Sequence, residues 1–239
     1  MTENKLLKSQ QRCYLKVLSS LSVGLFALIV SGCSSSPTPK FYSLSTQTLT
    51  SSSSNQKVRM IEVLPVGLSD RLNRIPLVIQ QENGQAKVLF DDRWTSTLSA
   101  ELRDAVSARL QQTLGAVDRY NSGMTGGQAA YRIALDFSNF DFIEKSNQQR
   151  FMLMNATWTL RYDDPNRPLS IPKTAQTLPQ RHQLSCRMSF YEEIPQKSRD
   201  LNTLVTVSQK AIDQLSISIA SSVKHLANRN QPITGAVCS

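Results

Sequence analysis

Tyr131-Arg132-Ile133-Ala134-Leu135-Asp136-Phe137 and, further on, Met152-Leu153-Met154-Asn155-Ala156-Thr157-Trp158-Thr159-Leu160 decide the fold class of this chain. In both stretches an apolar residue stands at every second position, which is the period of a β-strand with one face buried. The polar residues 144–150 between them are short enough to fold one strand back antiparallel to the other. The alternation returns over residues 180–191, with Leu184, Cys186, Met188 and Phe190 on one face and Arg181, Gln183, Ser185 and Arg187 on the other. Four prolines in residues 163–179 make the intervening segment an extended surface loop.

Outward from this sheet the period changes. Leu98, Leu102, Val106, Leu110 and Leu114 recur every fourth residue, Ala105 widens the stripe, and the charged Glu101, Arg103, Asp104 and Arg109 lie off it. That pattern predicts an amphipathic helix ending at Gly115. Leu201, Leu204, Val205, Ser208, Ala211, Ile212, Leu215, Ile219 and Val223 predict a second, longer helix over about residues 200–226. Residues 121–128, with three glycines, read as a loop between the first helix and the sheet. Upstream, residues 58–68 are apolar with little alternation, as in a strand covered on both faces. Residues 77–81 and 87–90 flank Asn83-Gly84, a pair suited to a hairpin turn. The fold class expected is α+β in two layers, a mostly antiparallel sheet with two long helices on one face.

The amino-terminal segment has a different logic. Lys5, Lys8, Arg12 and Lys16 stand against the single acid Glu3 and precede an apolar run from Val17 to Val30. At about 14 residues the run falls short of the roughly 20 that span a bilayer, so it reads as a secretory signal and not a transmembrane helix. It closes with Val30-Ser31-Gly32-Cys33, which resembles the lipobox of bacterial lipoproteins. That resemblance implies cleavage between Gly32 and Cys33 and lipidation of Cys33; the alternative is an ordinary signal followed by an incidental cysteine. Ser34 stands where an aspartate would mark inner-membrane retention, which by the same resemblance favours the periplasmic leaflet of the outer membrane. Multiple acyl chains, at roughly 0.8 kcal/mol per buried methylene, anchor durably where a single chain does not.

The expected organisation is therefore a signal peptide over residues 1–32, a lipidated terminus and polar tether over 33–56, one domain over 57–227, and a tail over 228–239. Residues 41–44, Phe-Tyr-Ser-Leu, interrupt the tether's polarity and suit a short strand. Cys13 leaves with the signal and Cys33 is consumed by lipid, which leaves Cys186 and Cys238. In an oxidising compartment these two either form a disulfide or stand as separate thiols, Cys186 in the core and Cys238 on a frayed terminus.

The whole chain carries 27 Lys and Arg against 18 Asp and Glu, a charge of +9. Without residues 1–32 this becomes 23 against 17, or +6. The balance suits anionic headgroups or an acidic partner, whereas the scattered bases do not suit nucleic acid. No phosphate-binding loop, nucleophile elbow or zinc-protease motif occurs, and the histidines His182 and His225 lack neighbours at metal-ligand spacing. Paired carboxylates such as Asp91-Asp92, Asp163-Asp164 and Glu192-Glu193 are adjacent, so on extended backbone they point to opposite faces and read as solvated charge. Neither catalysis nor a cofactor is expected.

Val63-Leu64-Pro65-Val66-Gly67-Leu68, then residues 71–80, then Asp92-Arg93-Trp94-Thr95-Ser96-Thr97-Leu98 opening the leucine-spaced helix, resemble the PqiC type of ABC-transport auxiliary lipoprotein. In that family the helix start has an alanine and a proline where this chain has Thr95 and Thr97. The Phe-Tyr-x-Leu at 41–44, the strand around 136–142 and Trp158 fall in the family's order, so that the likeness covers most of residues 33–226. It implies a non-enzymatic outer-membrane component of a trans-envelope lipid-trafficking system, docked against a periplasmic MCE-domain protein, whose ring symmetry a homo-oligomeric ring of the lipoprotein would match. Pro65, Arg93 and Trp94 are the motif residues that such docking would use, although Trp94 reads first as a core or staple residue at the helix entrance. A second reading is a lipoprotein that activates a peptidoglycan synthase, against which the tether argues: about 20 residues span roughly 65 Å at most.

Overall fold

Each alternating stretch extends further than its sequence period requires and pairs with the next. The computed structural model describes residues 38–45, 58, 60–120, 128–165, 183–195 and 200–239, and the chain divides into two units, Met1–Thr38 and Pro39–Ser239. The second unit contains β1 (Lys40–Tyr42), β2 (Met60–Val63), β3 (Gly67–Leu68), β4 (Pro76–Gln81), β5 (Ala86–Trp94), α1 (Leu98–Leu114), β6 (Val117–Asp118), β7 (Ala130–Glu144), β8 (Arg150–Asp163), β9 (Gln183–Ile194), α2 (Leu201–Ala227) and β10 (Val237–Cys238). Ten strands make one open sheet in the order β1-β5-β4-β7-β8-β9-β10, with β2 and β3 also against β7 and β6 against β2. The long pairings β7–β8, β8–β9 and β4–β5 are antiparallel, as are β9 and β10. The fold is thus α+β, mostly antiparallel, with the two helices on one face. The predicted loop at 121–128 and the proline-rich segment fall almost wholly outside the described residues, as do the signal, the tether up to residue 37 and Cys33.

One sheet face is apolar because its strands alternate. Ile133, Leu135, Phe137, Met152, Met154, Trp158, Leu160, Cys186 and Phe190 are buried against α1 and α2. Each large aliphatic or aromatic side chain buried there contributes about 1.5–3 kcal/mol. Trp158 lies under α2, its indole N–H donating to Ser222 Oγ at 3.0 Å, so the largest ring of the core has its polar atom satisfied. α1 ends at Gly115 with φ 60°, a conformation that favours glycine.

Two sequence expectations are corrected. Residues 58–68 are not one strand. They form β2 and β3, both parallel to β7 and interrupted at Pro65, whose missing N–H cannot join a ladder. The hydrophobic stripe of α1 is likewise incomplete as a description, since Glu101, Arg103 and Arg109 are buried too. Each has its own partners. Glu101 accepts from Ser43 Oγ at 3.1 Å, Leu44 N at 3.0 Å, Ser96 Oγ at 3.2 Å and from Thr95 Oγ1. Arg103 donates to Asp118 Oδ2 at 2.9 Å and to the Val63 carbonyl at 3.3 Å, with Tyr120 stacked 4.7 Å from its guanidinium carbon. Arg109 donates to the Leu44 carbonyl at 3.2 Å and pairs with Asp213 of α2.

These contacts stitch β1 and the residues after it to the helices. Thr95 N donates to the Tyr42 carbonyl at 2.9 Å, and Gln209 Nε2 to that of Ser43 at 3.0 Å. Burial and then its bond to Asp92 at 3.0 Å push the Tyr42 phenol up, keeping it a neutral donor.

Two outcomes follow. Asp118→Ala leaves the buried Arg103 with only the exposed carboxylate of Asp104, at 2.8 Å, so chemical denaturation should show a loss of about 3 kcal/mol, part of it recovered in Asp118→Ala/Arg103→Met. Asp200 caps α2: the Thr203 hydroxyl and then its N–H hold this carboxyl below its ordinary value. A lowered folded-state value means that the stabilisation is complete above the unfolded value and is lost as pH falls through the folded one. Asp200→Asn should flatten the fall of melting temperature below about pH 4 without abolishing the cap.

Candidate functional site

The face of the sheet opposite the helices is where side chains remain for binding. Strand alternation sends Ala134 and Asp136 of β7, Thr157 and Thr159 of β8, and Ser185 and Arg187 of β9 to that face. Register then aligns them in rows. Gly67, Asp136, Thr157, Arg187 and Val237 sit side by side across five strands, and Ala134, Thr159 and Ser185 form the next row. Small side chains make the floor, so the surface is concave between walls. One wall is Leu64, Pro65 and Gly67, which bulge where the β2–β3 ladder is interrupted; the other is Val237, Cys238 and Ser239. The open cleft between them measures about 700 Å³.

Two features shape its chemistry. A Cβ at Gly67 would lie 2.3 Å from Asp136 Oδ2, so the bare glycine is what lets this carboxylate stand at the wall. Asp136 and Arg187 flank Thr157 with opposite charges, two strand spacings apart, about 9.6 Å. Neither is paired to another described residue. One carboxylate, one guanidinium and several hydroxyls can hold a polar or charged surface by ion pairing and hydrogen bonding. Among the described residues no nucleophile lies beside a base here, and no group of three His, Cys, Asp or Glu is placed to hold a metal.

The second wall is fastened covalently. Cys186 and Cys238 are joined by a disulfide. Ser185 and Ser239 exchange both backbone hydrogen bonds, at 3.1 and 2.9 Å, so Cys186 and Cys238 are the neighbouring non-hydrogen-bonded pair, the antiparallel position where side chains approach most closely. Before the strand, the tail runs along α2. Thr234 N donates to Ser221 Oγ at 3.0 Å, His225 Nδ1 lies 2.6 Å from the Gln231 carbonyl, and Gly235 turns with φ 72° against Ser218.

The motif residues do not converge. Pro65 is exposed at the cleft rim. Arg93 lies at the far side of the sheet, its Nε donating to the Phe90 carbonyl. Trp94, at the end of β5, is 2 % exposed and belongs to the core, so its ring is not available to a partner. Cys33 and His182 lie outside the described residues. The sequence shows Asp136, Thr157 and Arg187 as the polar half of each alternation; only strand register, which the period does not encode, aligns them.

Fold and cleft together define a two-layer α+β domain in which, among the described residues, one sheet face is left uncovered. The chain belongs to the family of ABC-type transport auxiliary lipoprotein components, which matches residues 42–220. Two crystal structures share the fold. Protein XCC0632 from Xanthomonas campestris, of family DUF330, is 13 % identical with a TM-score of 0.53, covering 80 % of this chain and 98 % of its own. An uncharacterized protein is 18 % identical with a TM-score of 0.51, covering 78 % of this chain and 99 % of its own. No curated protein matches by sequence.

Cys186→Ala/Cys238→Ala should lower stability by about 4 kcal/mol, the chain-entropy value for a loop of this length. Amide exchange should accelerate over residues 228–239 while the β7–β8–β9 ladder stays protected.

Proposed function

We propose that this chain is a non-catalytic subunit of a trans-envelope lipid-transport system, anchored through Cys33 in the periplasmic leaflet of the outer membrane and docked against a periplasmic MCE-domain protein. Family membership supplies the transport partnership. The observation that carries the docking reading is the uncovered sheet face with its row of Asp136, Thr157 and Arg187, rimmed by Pro65. Opposite charges two strands apart set orientation and register on a partner more than raw affinity. The signal of residues 1–32 and the tether from Cys33 supply export and attachment, and the domain of residues 57–227 with its tail supplies the docking surface. A ring of such subunits suits a symmetric partner.

Crosslinking in intact cells, membrane purification and mass spectrometry test this. An MCE-domain protein is the expected companion, and Asp136→Lys/Arg187→Glu should reduce its recovery about tenfold without changing abundance of the lipoprotein. Recovery of a peptidoglycan synthase in its place would overturn the transport assignment in favour of the activator role.

A further inference from the structure

The edge formed by β1 and β5 carries aromatic surface that the fold does not use. Tyr42 and Trp94 turn inward to the core, while Phe41 is 61 % exposed and Phe90 67 %. Parallel register places Phe41 beside Arg93, and Arg93 Nε donates to the Phe90 carbonyl, so one guanidinium links the two phenylalanine positions. Lys40 is exposed next to Phe41, opposite Asp92. With Lys87, Asp91 and Asp92 on β5, the edge holds three bases and two acids, a small positive excess. A phenylalanine ring offers roughly 150–250 Å² for burial, and two on one edge are more than isolated surface apolar residues.

The occupant follows from where the chain leads. Seven residues separate Cys33 from Lys40, at most about 24 Å of extended backbone. If Cys33 holds the lipid, β1 is the first strand to leave the bilayer and cannot lie far above it. β10, the wall of the cleft, is six strand spacings away at the other end of the sheet order, about 29 Å. An apolar edge with long cationic side chains beside it suits the boundary of acyl chains and headgroups, where rings enter and Lys and Arg reach back to phosphates.

We propose that the β1–β5 edge is a membrane-seating surface. Phe41 and Phe90 enter the leaflet that holds the Cys33 lipid, Lys40 and Arg93 meet its phosphates, and the cleft is turned toward the aqueous space. Because the edge carries only a small positive excess, apolar insertion drives the seating and salt weakens it little. The inference rests on the anchor reading above, and the experiment separates the two.

The full chain is purified from membranes and reconstituted in vesicles of phosphatidylethanolamine and phosphatidylglycerol with brominated acyl chains. Phe41→Trp, Phe90→Trp and Ile217→Trp, the last at a position 53 % exposed on α2, are read against the parent, whose Trp94 and Trp158 are each 2 % exposed. Lipid should quench about half of the added emission at positions 41 and 90 and little at 217. The mass of the Cys33 peptide reads the anchor independently. A lipidated protein without quenching at 41 and 90, or with equal quenching at all three positions, overturns the seating and leaves the anchor standing. Quenching at 41 and 90 in a protein without lipid on Cys33 overturns the anchor and keeps the surface. Burial of both positions only when a protein partner is added, with no quenching by lipid, assigns the edge to that partner and overturns the proposal.

Discussion

A charge taken out of water costs several kcal/mol unless a partner meets it inside, and α1 takes three such charges inside. Each charge therefore dictates the position of another part of the chain. Glu101 requires donors from residues 43–44 and 95–96, which fixes the amino-terminal strand against the helix entrance. Arg103 requires Asp118 and the Val63 carbonyl, which brings β6 and β2 together. Arg109 requires the Leu44 carbonyl and Asp213, which ties the two helices to each other and to the strap beside β1. The leucines of α1 supply most of the burial energy, and the charges decide what is buried beside them.

This also explains what could be read from sequence. The strands β7, β8 and β9, both helices and the Asn83-Gly84 hairpin were legible because period two and period 3.6 each reflect one buried face. The burial of Glu101, Arg103 and Arg109 is not legible in the sequence, because a charged residue off an apolar stripe ordinarily faces water and nothing local announces a partner dozens of residues away. Pro65 did announce a ladder break, yet the apolar run around it reads as continuous. Of the cleft, the residue types were visible and their alignment was not: Asp136 and Arg187 are 51 positions apart and meet only through the register of β8. The pairing of Cys186 with Cys238 lies between these cases, permitted by compartment and number and made by β10 lying antiparallel on β9.

The sheet separates tasks along its width. Its centre, β7 and β8, is covered on one face by helices and open on the other to the cleft. Its flank at β5 carries the aromatic surface near the tethered strand, and its flank at β9 carries the covalently fastened wall. The open face and the aromatic flank therefore share no side chains.

Both outermost strands are very short, three residues in β1 and two in β10, the latter held by a sulfur bridge. Proteins confined to a membrane surface meet one another far more often than the same number dispersed in solution, and an open sheet with long bare edges would then zip to its neighbours through its backbone. Here the outermost ladders offer a neighbour only three and two residues, and the backbone edge that remains among the described residues lies along β5 before Asp92 and β9 after Arg187. On a crowded surface neighbours would therefore meet interrupted margins in place of one long bare edge, which limits backbone pairing between domains and leaves more of any ordered assembly to side chains.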